Sequence, residues 1–177
     1  MNQNAGNILF TGVPGLGKTT LIRRLCESLS PLQPVGFYTE EIREAGIRKG
    51  FDLVSLSGQR QQLAHVGIHS AYRVGKYGVD VDGFESFLKG NDFMREASRL
   101  IVIDEIGKME CYSDAFRRFL TEALSSNRLV IATIALKGGG VIRDVKKRSD
   151  ITLLEITRSN RDELPVTALD LVRAHLA

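Results

Sequence analysis

Only two cysteines occur in this 177-residue chain, Cys26 and Cys111, and no CxxC pair links them. That excludes a cysteine-based zinc site and a dithiol redox motif, and makes a reducing cytoplasm the simplest setting. No apolar run approaches the length that spans a bilayer, so no membrane partner is expected. The opening MNQNAG is polar and uncharged, and no secretory leader is expected from it. The formal charge is only +3, with a pI near 9.0. An excess of that size suits a protein that handles phosphate but is too small to argue for nucleic acid, which is left open and unsupported as a partner. Linkers, repeats and low-complexity tracts are absent as well. What remains is one domain spanning residues 1–177, with a monomer as the simplest state. Its 43% hydrophobic and 25% charged residues suit a soluble globular core.

Apolar runs alternate with amphipathic stretches, which predicts an α/β fold with a mostly parallel sheet flanked by helices. NILFT at residues 7–11 reads as a short buried strand. Residues 18–29 read as a helix with Leu21, Ile22, Leu25, Cys26 and Leu29 on one face, so Cys26 reads as core. Residues 35–66 are strand-like, with hairpin turns at Glu44-Ala45-Gly46 and Ser57-Gly58-Gln59. They belong to an antiparallel insertion of roughly residues 35–82. Residues 83–99 read as helix in two pieces broken at Gly90-Asn91. Residues 100–103 (LIVI) suit a central strand. Ser113 caps a helix bearing Phe116, Phe119, Leu120, Ala123 and Leu124. Residues 129–134 and 151–156 add two strands, and residues 166–176 a closing helix.

Chemistry enters at Gly12-Val13-Pro14-Gly15-Leu16-Gly17-Lys18-Thr19, which matches G-x-x-x-x-G-K-[ST], with Thr20 beside it. Glycines let backbone N–H groups converge on phosphate oxygens without a Cβ in the way. Lys18 opens the helix and is placed to reach the β and γ phosphates, whose charge the helix N-terminus favours. Thr19 offers Mg²⁺ a hard oxygen. Strand and helix flank the motif as that mechanism requires.

A second run, Leu100-Ile101-Val102-Ile103-Asp104-Glu105, is an apolar strand ending in two acids. Asp104, at the end of a strand beside the phosphate loop, is a candidate for the Mg²⁺ shell. Glu105 is a candidate base, or orienting group, for an attacking water. Lys18 and Glu105 are thus the candidate catalytic pair, and Thr19 and Asp104 the candidate metal ligands. Thr133, ending the LVIATI strand, is a candidate polar sensor, against a plain strand threonine. The run Arg143-Asp144-Val145-Lys146-Lys147-Arg148 offers cations for transition-state charge, against a solvated helix face. His65 and His69 lack the glutamate of HExxH and read as non-ligating. No NKxD stands in the sequence, which argues against a GTPase-type switch.

GVPGLGKTTLIRRL, GFYTEEIREAGIRKGFDLVSLSG, VGKYGVDVDGFE, LIVIDEIGKME, VIATI and NRDEL occur here in one order. That order resembles the small P-loop nucleoside-triphosphatase family of thermophile enzymes, which has a human cancer-related member. The resemblance covers nearly the whole chain. It implies a RecA-like sheet with an added hairpin region, and slow, Mg²⁺-dependent hydrolysis of ATP, GTP, CTP and UTP to diphosphate and phosphate. It also extends the nucleotide contacts from residues 13–20 to the strand end at residues 100–107, which takes in Ile106 and Gly107. Ala135 stands where similar sequences often carry proline, and Leu136-Lys137-Gly138-Gly139-Gly140 follows. A small P-loop kinase and a nucleotide-gated RNA- or protein-binding module are the competing readings.

Overall fold

The computed structural model describes residues 6–176; residues 1–5, the polar opening noted above, lie outside them. Strand β1 (Asn7–Thr11) runs into the glycine loop and helix α1 (Lys18–Ser28). The chain returns through β2 (Val35–Glu44), β3 (Ile47–Ser55), β4 (Arg60–His65), β5 (Arg73–Val74) and β6 (Tyr77–Val79). Then come α2 (Val81–Gly90), β7 (Leu100–Ile106), α3 (Asp114–Ser125), β8 (Leu129–Ile134), α4 (Val141–Lys146), β9 (Ile151–Glu155) and α5 (Leu164–Leu176).

The strands form one sheet in the order β5-β6-β4-β3-β2-β7-β8-β1-β9. Strands β2, β7, β8, β1 and β9 pair in parallel, whereas β2 through β6 pair antiparallel. Strand β2 serves both halves. Its start pairs with β7, and Phe37 to Glu44 pair with β3.

Side chains alternate across the parallel strands and feed two cores. Ile8 and Phe10 of β1 join Leu21, Ile22 and Leu25 of α1 and Ala168 and Val172 of α5. Leu9 faces the other way, with Ile101, Ile103, Phe116 and Leu120. Asp80 caps α2 by accepting from the Gly83 N–H (2.9 Å), and Ser113 caps α3 through the Phe116 N–H (2.9 Å). Cys26 packs beside the α1 core, and burial pushes its thiol up to about 11.

Two expectations are corrected. Residues 91–99 do not form a second helical piece; they fold as turns. Asn91 leaves α2 in an extended conformation (φ −120°, ψ 122°), and its amide donates to the Phe87 carbonyl at 2.8 Å. Phe93 then turns inward against Phe37 and Phe87, and Arg128 donates to the Met94 and Ser98 carbonyls. Aromatic burial and a guanidinium thus take the place of helical bonding. Strand β8 runs between the loop strand β1 and the acid-tipped strand β7. Strand β7 is also longer than LIVI, since Ile106 pairs with Ile134 after an irregularity at Asp104–Glu105, whose peptide is cis.

Candidate functional site

Four parallel strands deliver groups to the same carboxyl edge of the sheet, the usual place for a ligand in an open α/β fold. The loop after β1 carries Gly15 (φ 84°) and Gly17 (φ 95°) in a backbone region that suits glycine, and Gly17 hands the chain directly to α1. Val13, Pro14 and Gly15 are exposed, while Leu16 is half-buried against α1. Thr20 is exposed on the first turn. Lys18 folds back so that its Nζ donates to the Gly12 carbonyl (3.2 Å) and lies 3.9 Å from Glu105 Oε2.

Asp104 is the pivot of this edge, 1% exposed. Thr19 Oγ1 donates to its Oδ2 at 2.7 Å, and Thr133 Oγ1 to its Oδ1 at 2.5 Å. Burial pushes the carboxyl up, while the two hydroxyls, the Thr39 N–H and the Lys18 charge pull it back. Thr133 therefore clasps the acid from the intervening strand β8. Glu105 is half-buried; burial raises its carboxyl, and Lys18 and, more weakly, Lys146 oppose that. The side chains of Leu100, Ile101, Val102, Ile103 and Ile106 lie in the two cores. They support the strand and leave only its acidic tip at the edge.

Gly107 is wedged behind that tip. A methyl group there would come within 2.8 Å of Glu110 Oε2 and 3.3 Å of Glu105 Oε1. Glu110 is 5% exposed, and burial, reinforced by the facing Glu105, pushes its carboxyl up to about 8. Composition gave no sign of it, because a lone acid in a loop reads as solvated. From about 4.5, where an unburied glutamate titrates, up to about 8 the folded chain holds a proton that the unfolded chain has lost. Stability therefore falls as pH rises through that window and levels off above it. The uncharged variant Glu110→Gln is expected to melt at a higher temperature than the wild-type chain at a pH above 8, with the gap closing toward 4.5. Thermal melts at the two ends check this, and a gap independent of pH would refute it.

Sequence reasoning also missed a cleft of about 210 Å³ beside the loop. One wall is Leu16, Thr20 and Arg24 of the α1 side; the other is Ile156, Arg161 and Pro165, with Asp162 at the edge. The β9–α5 loop that makes this second wall is braced by Asn160. Its Oδ1 accepts from the Thr157 N–H and its Nδ2 donates to the Glu155 carbonyl, both at 2.8 Å. The signal was NRDEL, a string with no chemistry legible until its loop is folded. His65 Nδ1, by contrast, accepts from the Gly67 N–H at 3.1 Å within its own turn.

A glycine loop opening a helix at the carboxyl edge of a parallel sheet, facing a strand-end acid across one strand, defines the class of nucleotide-binding α/β proteins. Residues 7–169 match the family described as NTPase, and the chain belongs to that family. It is similar to the nucleoside-triphosphatase THEP1 of Natranaerobius thermophilus, 44% identical over 163 residues, which cover 90% of this chain and 92% of the relative. The human cancer-related nucleoside-triphosphatase is 39% identical over 176 residues, covering 90% and 93% respectively. The crystal structure of THEP1 from the hyperthermophile Aquifex aeolicus superposes with a TM-score of 0.83 at 33% identity, over 93% of this chain and 98% of that one.

Proposed function

We propose that the chain hydrolyses nucleoside triphosphates to diphosphate and phosphate with Mg²⁺, and that it accepts ATP, GTP, CTP and UTP. The observation that carries this reading is the convergence of Lys18, Thr19, Asp104 and Glu105, with Thr19 at 2.7 Å from Asp104 and Lys18 at 3.9 Å from Glu105. Backbone N–H groups of Val13 and residues 15–20 cradle the phosphates at the α1 N-terminus, Pro14 having none to give, and Lys18 supplies the mobile cation. Glu105 takes the proton of the attacking water or orients it, while Asp104 is held still by the Thr133 and Thr19 hydroxyls.

The donor set fits the metal. Thr19 and Asp104 offer hard oxygens side by side, and Asp104 is buried against hydroxyls with no cation within ion-pair distance among the described residues. When bound there, Mg²⁺ neutralises charge on the phosphate oxygens. The cleft beside the loop receives the base. Its walls are apolar residues and exposed, movable side chains, without a buried donor or acceptor that one base would satisfy and another leave unpaired. Such a site discriminates weakly.

Phosphate release from the four triphosphates, with Mg²⁺ and with chelator, tests the reading. All four are expected to turn over with kcat/KM values within about tenfold of one another, and chelator is expected to abolish turnover. Tight binding without phosphate release would instead point to transfer onto an acceptor other than water.

A further inference from the structure

The run from Arg143 to Arg148 holds four cations, and the fold sorts them. Arg143 is exposed and paired with Asp144 at 3.2 Å. Arg148 turns away, bonded to both oxygens of Asp150 (2.9 and 2.7 Å) and to the Leu124 carbonyl (3.1 Å). Lys147 is exposed on the last turn. Lys146 is half-buried, as Arg148 is, but takes no carboxylate partner among the described residues. Its Nζ donates to the Leu136 carbonyl at 2.8 Å, and it makes no ion pair within 4.0 Å among the described residues.

That carbonyl is close to the reactive edge. Ala135, one residue earlier, donates its N–H to the Ile106 carbonyl at 3.1 Å, so the β8–α4 loop is stitched to β7 immediately beyond Glu105. Helix α4 is anchored behind it by Ile142 and Val145, which share the core with Ile106. The ammonium thus stands near Glu105, on the α4 side of the sheet, while Lys18 approaches the same carboxylate from the loop. Burial lowers its proton affinity, and the fields of Glu105 and Glu155 restore part of it. A half-buried cation bonded to a carbonyl, with no carboxylate within 4.0 Å among the described residues, stands here beside a site that must gather negative charge.

We infer that Lys146 is a second phosphate-binding lysine, which contacts the terminal phosphate of a bound triphosphate opposite Lys18 and has no counterpart contact in a diphosphate. The inference rests on the nucleoside-triphosphatase reading above. It explains why this side chain lies inward while its neighbours are paired or solvated.

The experiment compares Lys146→Met and Lys146→Arg with the wild-type chain, measuring turnover of ATP and, in a Glu105→Gln background, calorimetric affinities for ATP and ADP with Mg²⁺. Lys146→Met is expected to lower kcat roughly a hundredfold and to weaken ATP while leaving ADP within about twofold, and Lys146→Arg is expected to recover part of the loss. If ATP and ADP affinities fall together in both variants, Lys146 serves only to brace the Leu136 loop and the inference is overturned. Wild-type turnover and an unchanged ATP preference in Lys146→Met would overturn it too, with the hydrolase reading intact. Absence of turnover in the wild-type chain would refute that reading instead, and the ATP-to-ADP ratio of Lys146→Met would still decide the phosphate contact.

Discussion

Glu105→Gln is expected to bind ATP as the wild-type chain does and to release phosphate roughly a thousandfold more slowly, about 4 kcal/mol of barrier. The substitution keeps the length and most of the shape of the side chain and removes its negative charge and with it its capacity to accept a proton. Binding is expected to survive because the phosphate cradle is backbone and Lys18, and the Lys18–Glu105 separation of 3.9 Å is too long for the loop's shape to depend on it. The Glu105 side chain is 30% exposed, so water reaches it. Asp104, 1% exposed and bonded to the Thr19 and Thr133 hydroxyls, and Glu105, open to water, are thereby suited to different tasks. Single-turnover phosphate release, alongside calorimetric ATP binding, checks this. Turnover within about twofold of wild type would remove Glu105 from the chemistry. Loss of binding together with turnover would show instead that its charge organises Lys18 and the loop.

The loop itself was legible in the sequence because its physics is local. A backbone that must approach phosphate needs glycine, and the lysine and threonine follow it on the next turn. LIVIDE was legible for a similar reason: a strand buried on both faces has no polar residue until it ends, so the acids mark the end. The hairpins at residues 44–46 and 57–59 declared themselves through turn residues between alternating runs. Strand order was not legible, since nothing local says that LVIATI enters the sheet between the loop strand and the acid strand. That placement decides the role of Thr133, which the sequence leaves between a polar sensor and a plain strand threonine until β8 sets it against Asp104.

The same limit explains the other omissions. Arg24 and Arg161 lie far apart in sequence and meet only across the cleft. Glu110 acquires its raised proton affinity from the surfaces that bury it and from Glu105, and both are properties of the folded chain. Lys146 and Arg148 belong to one basic run, and only the direction of α4 separates the lysine near Glu105 from the arginine committed to Asp150. Residues 91–99 have helical composition in places. Their conformation is instead chosen by what Phe93 gains against Phe37 and Phe87, so tertiary packing overrides local propensity there.

Phe37→Ala is expected to cost about 3–5 kcal/mol of stability, a large part of the total for a domain of this size. Phe37 is fully buried, with ring centroids of Phe84 and Phe87 at 5.9 Å, Phe93 at 5.8 Å and Phe116 at 6.3 Å. It thereby ties α2, α3 and the 91–99 turns to β2. It also pairs in register with Ile103 of the parallel half and Ser55 of the antiparallel half, so the cavity would open at the seam between them. Phe51, on the half-buried pair with Tyr77, provides the control, and Phe51→Ala is expected to cost far less. Urea unfolding reads both, and equal losses would mean that the aromatic cluster closes over the gap. The Thr39 N–H, which helps to hold the Asp104 carboxyl down, lies two residues further along the same strand. Folded Phe37→Ala molecules are expected to keep their turnover if the β2–β7 pairing alone holds that N–H in place. A fall in turnover per folded molecule would show that the aromatic cluster also sets the position of Asp104, and that stability and catalysis share this strand.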